Sequence, residues 1–560
     1  MARLAPARMS GRALRALVFA ARRTPARLAL ARLLRAELGI EALRALPANV
    51  RSDLPFDLAP LRARASHARE DAGLGVPARS GWPLTSAALG AAYRERRVTP
   101  LEATARALEG ARALAALGPG GSALLDVDEP RAREAARASG ERLSRGEPLS
   151  ALDGVPLLIK EEVDVEGLPT RTGTGWAPRT PASADATAVA RLRAAGAVIL
   201  GTTPMTEYGL SPLGGNPHRD MPRNAHAPDR LPGGSSSGSG VAVASGIVPI
   251  ALGCDGGGSI RIPACLNGVF GLKPTYGRIP STGEGLTGGS SVVHLGPLGA
   301  SALDLALFTA ITAGADGRDR SADVAPALAD GALVRALGRG VRGLRIGVDE
   351  DEWAAAERDV AAPARQALSV LEREGATLVP IQVPLAKHAP AIGYLTIGLE
   401  SYAGLGAARA EHFDELGPDV QLLLAGMATF EADAYLDAQR LRATLRREVA
   451  EALRAVDVLA SPTTARAAPA VTDAEARAGF IDPLALDAMC RFAFLGNLTG
   501  YPAGTAPVGL NREGLPVGLQ LTADAWDEAT VLQVLAHLER AGAAAAPRPS
   551  RSVSLLGEGG

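Results

Sequence analysis

Two glycine–serine clusters, GGSSSGSG at 233–240 and GGGS at 256–259, hold the greatest density of reactive side chains in the chain. A nucleophile held in a glycine turn suits acyl transfer. The hydroxyl attacks a carbonyl, and backbone N–H groups at Gly256, Gly257, Gly258 and Ser259 can point at the developing oxyanion. Glycine also keeps a Cβ away from the place where substrate must approach. Runs of Gly and Ser are commonly flexible linkers. Here, however, the run opens onto the apolar helix-like GVAVASG and the strand-like VPIALGC, and linkers do not sit between core elements. A phosphate loop needs Lys and then Ser or Thr after its glycines, and this run has no lysine.

A serine hydroxyl is a weak nucleophile until a base takes its proton. Histidine is the first guess, but the seven histidines are scattered at 67, 218, 226, 294, 388, 412 and 537, and no serine-protease motif accompanies them. Lysine is the sharper signal. Of 59 basic side chains, all but Lys160, Lys273 and Lys387 are arginine. Arginine stays protonated, whereas a buried lysine can lose its proton. Lowering a lysine from about 10.4 to about 7.5 costs near 4 kcal/mol, within what full burial supplies. Lys160 follows the apolar run Val155–Ile159, which suits burial. Glu161 and Glu162 oppose it, since carboxylates favour the ammonium, although strand alternation turns Glu161 away. Lys387, beside His388, reads as a surface residue, and Lys273 as a structural one.

The elements that must position these groups read as an α/β body. LDGVPLLIK is a strand ending at Lys160, DATAVARLRAAG a helix and AVILGTT a strand, followed by a polar loop to Pro232. GLRIGV, ATLVPIQV and VDVLASPTT are further strands, with helices between them. The alternation predicts a mixed, mostly parallel twisted central sheet with helices on both faces and chemistry at strand ends. RAREAARASGERLSRG is a helix ending at Gly146, and a Thr99–Pro100 break opens another. The expected organisation is a basic helical extension and connector at 1–82, a body at 83–545 and a frayed tail at 546–560.

The first 46 residues carry nine arginines before the first acid, Glu37. No apolar run between them could span a bilayer. Two readings stand: a solvated helix packed on the body, or a membrane-surface helix with Leu14, Leu17, Val18 and Phe19 toward lipid. The uncharged stretch 231–254 is a buried loop–helix–strand, because its glycines, serines and prolines do not suit a span.

Hydrophobic residues make up 47% and charged ones 21%, the balance of a globular enzyme. A net charge of −1 gives no footprint for nucleic acid. Cys254, Cys265 and Cys490 form no CxxC pair, so neither a disulfide framework nor a zinc cluster is expected, and a reducing, cytoplasmic setting fits.

The blocks GVPLLIKEEVDVEGLPT, GTTPMTEYG, PRNAHAPDRLPGGSSSGSGVAVASG, GCDGGGSIRIPACLNGVFGLKPTYGR, VDVLASPTT and GYPAGTAPVGLNREGLPVGLQL, in this order, resemble the amidase signature family, the Ser–cisSer–Lys hydrolases. The resemblance spans roughly residues 85–545 and implies a single large domain of that fold. It implies Ser259 as nucleophile, Lys160 as general base and Ser235, in a cis peptide, as the bridging serine, with Ser236 the competitor should the register slip. It also implies substrate contacts at Met205, Thr206 and Ser236, and neither metal nor organic cofactor. Two positions depart from the family pattern: the acidic pair after Lys160, where an Asp-Asn-like pair is common, and Cys254, where Thr is frequent. Within the family, the chain is most similar to plant-type fatty acid amide hydrolases, which implies a lipophilic amide substrate, peripheral membrane contact through residues 1–46, and room for a homodimer. The rivals are a short-chain or aryl amidase, a glutamine-hydrolysing subunit that passes ammonia to a partner, and a non-catalytic membrane-surface protein that keeps the fold.

Overall fold

Short apolar runs bounded by turn residues form the strands of one ten-stranded sheet: β1 (Pro156–Lys160), β2 (Val198–Thr203), β3 (Ile250–Asp255), β4 (Phe270–Lys273), β5 (His294–Gly299), β6 (Arg345–Val348), β7 (Thr377–Pro380), β8 (Val458–Pro462), β9 (Ala503–Leu510) and β10 (Pro516–Ala523). The computed structural model describes residues 8–22, 28–29, 32, 35–36, 38–52, 54, 73–75, 82–283, 285 and 290–557. Most of the connector, His67 among it, lies outside the described residues.

The spatial order is β2-β1-β3-β5-β4-β9-β10-β8-β6-β7. The sheet is mixed, as expected. β2, β1 and β3 run parallel on one flank and β8, β6 and β7 on the other, and antiparallel pairings join the two through the middle. Every residue of β1, β2 and β3 is buried, which is why these strands read as unbroken apolar runs. Alternation divides β1 between two cores. Leu157 and Ile159 pack with Val189, Leu192 and Phe308, and Leu158 packs on the other face with Leu108, Ala136 and Val241. Lys160 therefore shares its face with Leu158, toward the helix Ser237–Ala244.

Helix ends follow their local chemistry. Thr99 and Glu102 form a capping box at the start of Pro100–Ala116, and Gly146 closes Glu129–Arg145 with φ 74°. β4, β5, β9 and β10 were not legible as strands, because glycine and proline interrupt them. Pro297 sits within β5 opposite Leu252, a place where proline normally argues against a strand.

Both ends of the chain pack on the body. In the helix Gly11–Ala21, Leu14, Val18 and Ala21 are buried against Leu422, so they face the body rather than lipid; Phe19 is 62% exposed. Just before it, Met9–Ser10 pairs antiparallel with Phe480–Ile481. The expected frayed tail instead lies on the body over residues 546–557. Val553 and Leu555 are buried, and the Val553 N–H donates to the Ser245 carbonyl at 2.7 Å. Among the described residues, no helix is long and apolar enough to cross a membrane.

Candidate active site

The parallel pairing of β1 and β3 brings Lys160 and Asp255, the last residues of their strands, to one edge of the sheet. Such strand ends are where α/β sheets hold ligands. Ser235 arrives from the loop before Ser237–Ala244, and the Gly234–Ser235 peptide is cis. Lys160 Nζ donates to Ser235 Oγ at 2.7 Å and lies 3.5 Å from the Cys254 carbonyl. Both side chains are buried. The Ser236 N–H donates to the Ser259 carbonyl at 3.3 Å, which ties the two serine loops together.

The acidic pair after Lys160 separates as alternation requires. Glu161 turns to Arg219, which contacts its two oxygens at 2.6 and 2.7 Å, and it also accepts the Met205 N–H. Burial pushes the Glu161 carboxyl up, against the pull of Arg219. Glu162 turns the other way and forms an ion pair with Lys160.

The loop carrying Ser259 is held from beneath by a cluster that sequence reading missed. Asp255 accepts the Gly258 N–H at 2.7 Å and the Ile260 N–H at 3.1 Å, and pairs with Arg261 at 2.9 and 3.0 Å. Asn497 donates to Asp255, and Gln520 accepts from Arg261. Burial pushes the Asp255 carboxyl up, but Arg261 and the hydrogen bonds outweigh it and hold it well below the usual carboxylate range. Burial, aided by Arg261, lowers Lys273 far below the lysine range; its Nζ donates to the Tyr501 carbonyl at 2.6 Å. Lys273 is thus the structural residue expected. The Asp-x5-Arg spacing was visible, but nothing in the sequence alone says that the two side chains meet.

The expected oxyanion donors divide. The Gly258 N–H is consumed by Asp255. Those of Gly256, Gly257 and Ser259 meet no protein acceptor among the described residues. Gly258 has φ 114°, and a Cβ on Gly257 would lie 2.7 Å from the Phe494 ring.

Ser259 and Gly257 line a cavity whose walls include Leu213, Ile397, Val420, Leu422 and Phe494. Leu38, Phe480 and Ile481 line it as well. The wall also carries a carboxyl, Asp419, raised to about 7 by burial and by Glu207. Met205, Thr206 and Ser236, expected to touch substrate, do not line this cavity. They are fully buried. Thr206 Oγ1 donates to the Ser211 carbonyl, and Ser236 Oγ to that of Cys254. Among the described residues, no group of three or more His, Cys, Asp or Glu side chains could hold a metal ion.

Comparisons with known proteins agree with this geometry. The Amidase family model matches residues 111–532. A fatty acid amide hydrolase of Medicago truncatula is 34% identical over 476 residues, covering 83% of this chain and 77% of its own. One component of the glutamyl-tRNA(Gln) amidotransferase of Roseiflexus castenholzii is 39% identical over 450 residues, 75% of this chain and 89% of its own. The crystal structure of a bacterial aryl acylamidase of the amidase signature family superposes with a TM-score of 0.72 at 26% identity, covering 82% of this chain and 96% of that one.

Proposed function

The chain belongs to the amidase signature family and is an amide-hydrolysing enzyme; from that premise we propose that it cleaves N-acyl amides of lipophilic carboxylic acids through an acyl-enzyme. The observation that supports a lipophilic acyl group is the apolar cavity opening at Ser259. Apolar burial is what such a pocket rewards, and a glutamine side chain offers little of it.

In this reading, neutral Lys160 takes the proton of Ser235, Ser235 takes that of Ser259, and Ser259 Oγ bonds to the amide carbon. Amides of Gly256, Gly257 and Ser259 receive the oxyanion. The proton returns by the same route to the leaving nitrogen, because an amide anion leaves poorly. Water then repeats the sequence on the ester. Removing the ammonium's proton from water's reach suits a buried lysine, since desolvation favours the neutral amine.

A panel of amides from short aryl to long-chain ethanolamide, run beside glutamine, tests the proposal. Expected is a kcat/KM that rises with acyl length, with glutamine hydrolysed poorly. A preference for glutamine or for short aryl amides overturns it.

A further inference from the structure

Three carboxyl groups gather where β1 and β3 end, and their partners differ. Glu161 is taken by Arg219, with Arg171 also in its field. Asp255 is taken by Arg261. Glu162 is the one that faces the lysine: its ion pair with Lys160 is buried, with the side chains 2% and 1% exposed. A charge pair so far from water interacts strongly, and the arginine partners quench the fields of the other two carboxylates. Two further neighbours of Lys160 Nζ, Ser235 Oγ and the Cys254 carbonyl, are neutral.

We infer that Glu162 is a positioning residue that sets the basicity of Lys160 and so the pH range in which the serine pair is activated. This rests on the Ser–Ser–Lys reading above. Only the neutral form of the amine can act as base. When Ser259 Oγ bonds to carbon, its proton passes to Ser235 Oγ, the Ser235 proton passes to the Lys160 lone pair, and the ammonium so formed stands against the Glu162 carboxylate. One O–H bond is lost at Ser259 and one N–H bond gained at Lys160, and the leaving nitrogen later recovers that proton. The carboxylate stabilises the product of proton transfer. It also holds the resting lysine protonated at low pH. The family's ordinary neutral second residue would do neither.

Glu162→Gln tests this, because it keeps the shape and removes the charge. An opposite charge at contact raises a lysine by roughly one to three units, so the acid limb of kcat/KM should move down by that interval while the plateau falls about tenfold or more. Glu162→Asp, which keeps the charge, should restore the limb. The lysine can also be watched directly. With [15N]lysine labelling, the chain gives only three side-chain signals, and Lys160→Arg assigns one. Its titration midpoint in the intact protein should drop in Glu162→Gln. Midpoints and acid limbs that coincide in wild type and Glu162→Gln overturn the inference. If the midpoints differ but neither protein hydrolyses any lipophilic amide, the pairing stands and the proposed substrate fails.

Discussion

Lys160 Nζ and Ser235 Oγ stand 2.7 Å apart with neither side chain more than 2% exposed. That contact makes the lone pair of a lysine, rather than its charge, the quantity to test. Lys160→Arg keeps charge and bulk and removes the base; kcat should fall by about 10²–10⁴. Lys387→Arg, on an exposed residue, should leave steady-state kinetics near wild type. Wild-type turnover in Lys160→Arg would dismiss the mechanism.

Ser259 lines the cavity and Ser235 does not, so a fluorophosphonate should label Ser259 stoichiometrically. Peptide mapping checks the site. Ser259→Ala should abolish labelling, and Ser235→Ala should slow it by about 10²-fold or more through loss of the proton path. A labelled peptide from any other segment contradicts the nucleophile.

Asp255 binds the loop of Ser259 through the Gly258 and Ile260 N–H groups while neutralising Arg261. Asp255→Asn leaves a buried guanidinium uncompensated, which costs about 3–5 kcal/mol. Melting curves should show the loss at neutral pH. The native carboxyl is held below its unfolded value, so its contribution is full above the ordinary carboxylate range and is lost as pH falls toward the depressed native value. The difference in Tm between wild type and Asp255→Asn should therefore shrink in acid. A constant gap across pH would refute the assignment.

Leu423 is half-buried on the cavity wall. Leu423→Trp should shorten the space available to an acyl chain. Each excluded methylene is worth about 1 kcal/mol or more, so kcat/KM for a long-chain amide should fall by about 10–100-fold while a short aryl amide is spared. Equal losses on both substrates would detach the cavity from acyl recognition.

Leu14 is fully buried against Leu422, itself a cavity residue. Leu14→Ala should cost about 2–5 kcal/mol locally. The kinetic signature is a raised KM for long-chain amides with little change for short ones. Hydrogen exchange slowed or unchanged in Pro418–Met427 would show that the first helix does not brace that wall.

Lys160 and the GGGS turn were legible because both violate a background: lysine in a chain of arginines, and glycine beside core strands. The strand ending at Lys160 was readable for the same reason that it is buried, since both of its faces are covered. The Asp255–Arg261 clasp was not, because two charged residues six apart announce nothing until a turn brings them together. Nor was the loss of the Gly258 N–H to Asp255, which depends on a carboxylate folding back over its own loop. The cavity walls escaped as well. Ile397, Val420 and Phe494 come from three separate helices, and any apolar helix face looks alike until its neighbour is known. Proline in β5 hid a central strand, because the local rule against it yields to the pairing of its neighbours.

Met9 and Ser10 find their ladder partners about 470 positions later, at Ile481 and Phe480. On a ribosome adding about 5–20 residues per second, the first helix emerges roughly 20 seconds or more before the wall it completes. Throughout that interval the stripe of Leu14, Val18 and Ala21 is an unsatisfied sticky surface. Chaperone dependence and yield at low growth temperature should therefore answer to these three residues, and the cavity beside Ser259 should be among the last parts of the nascent enzyme to mature.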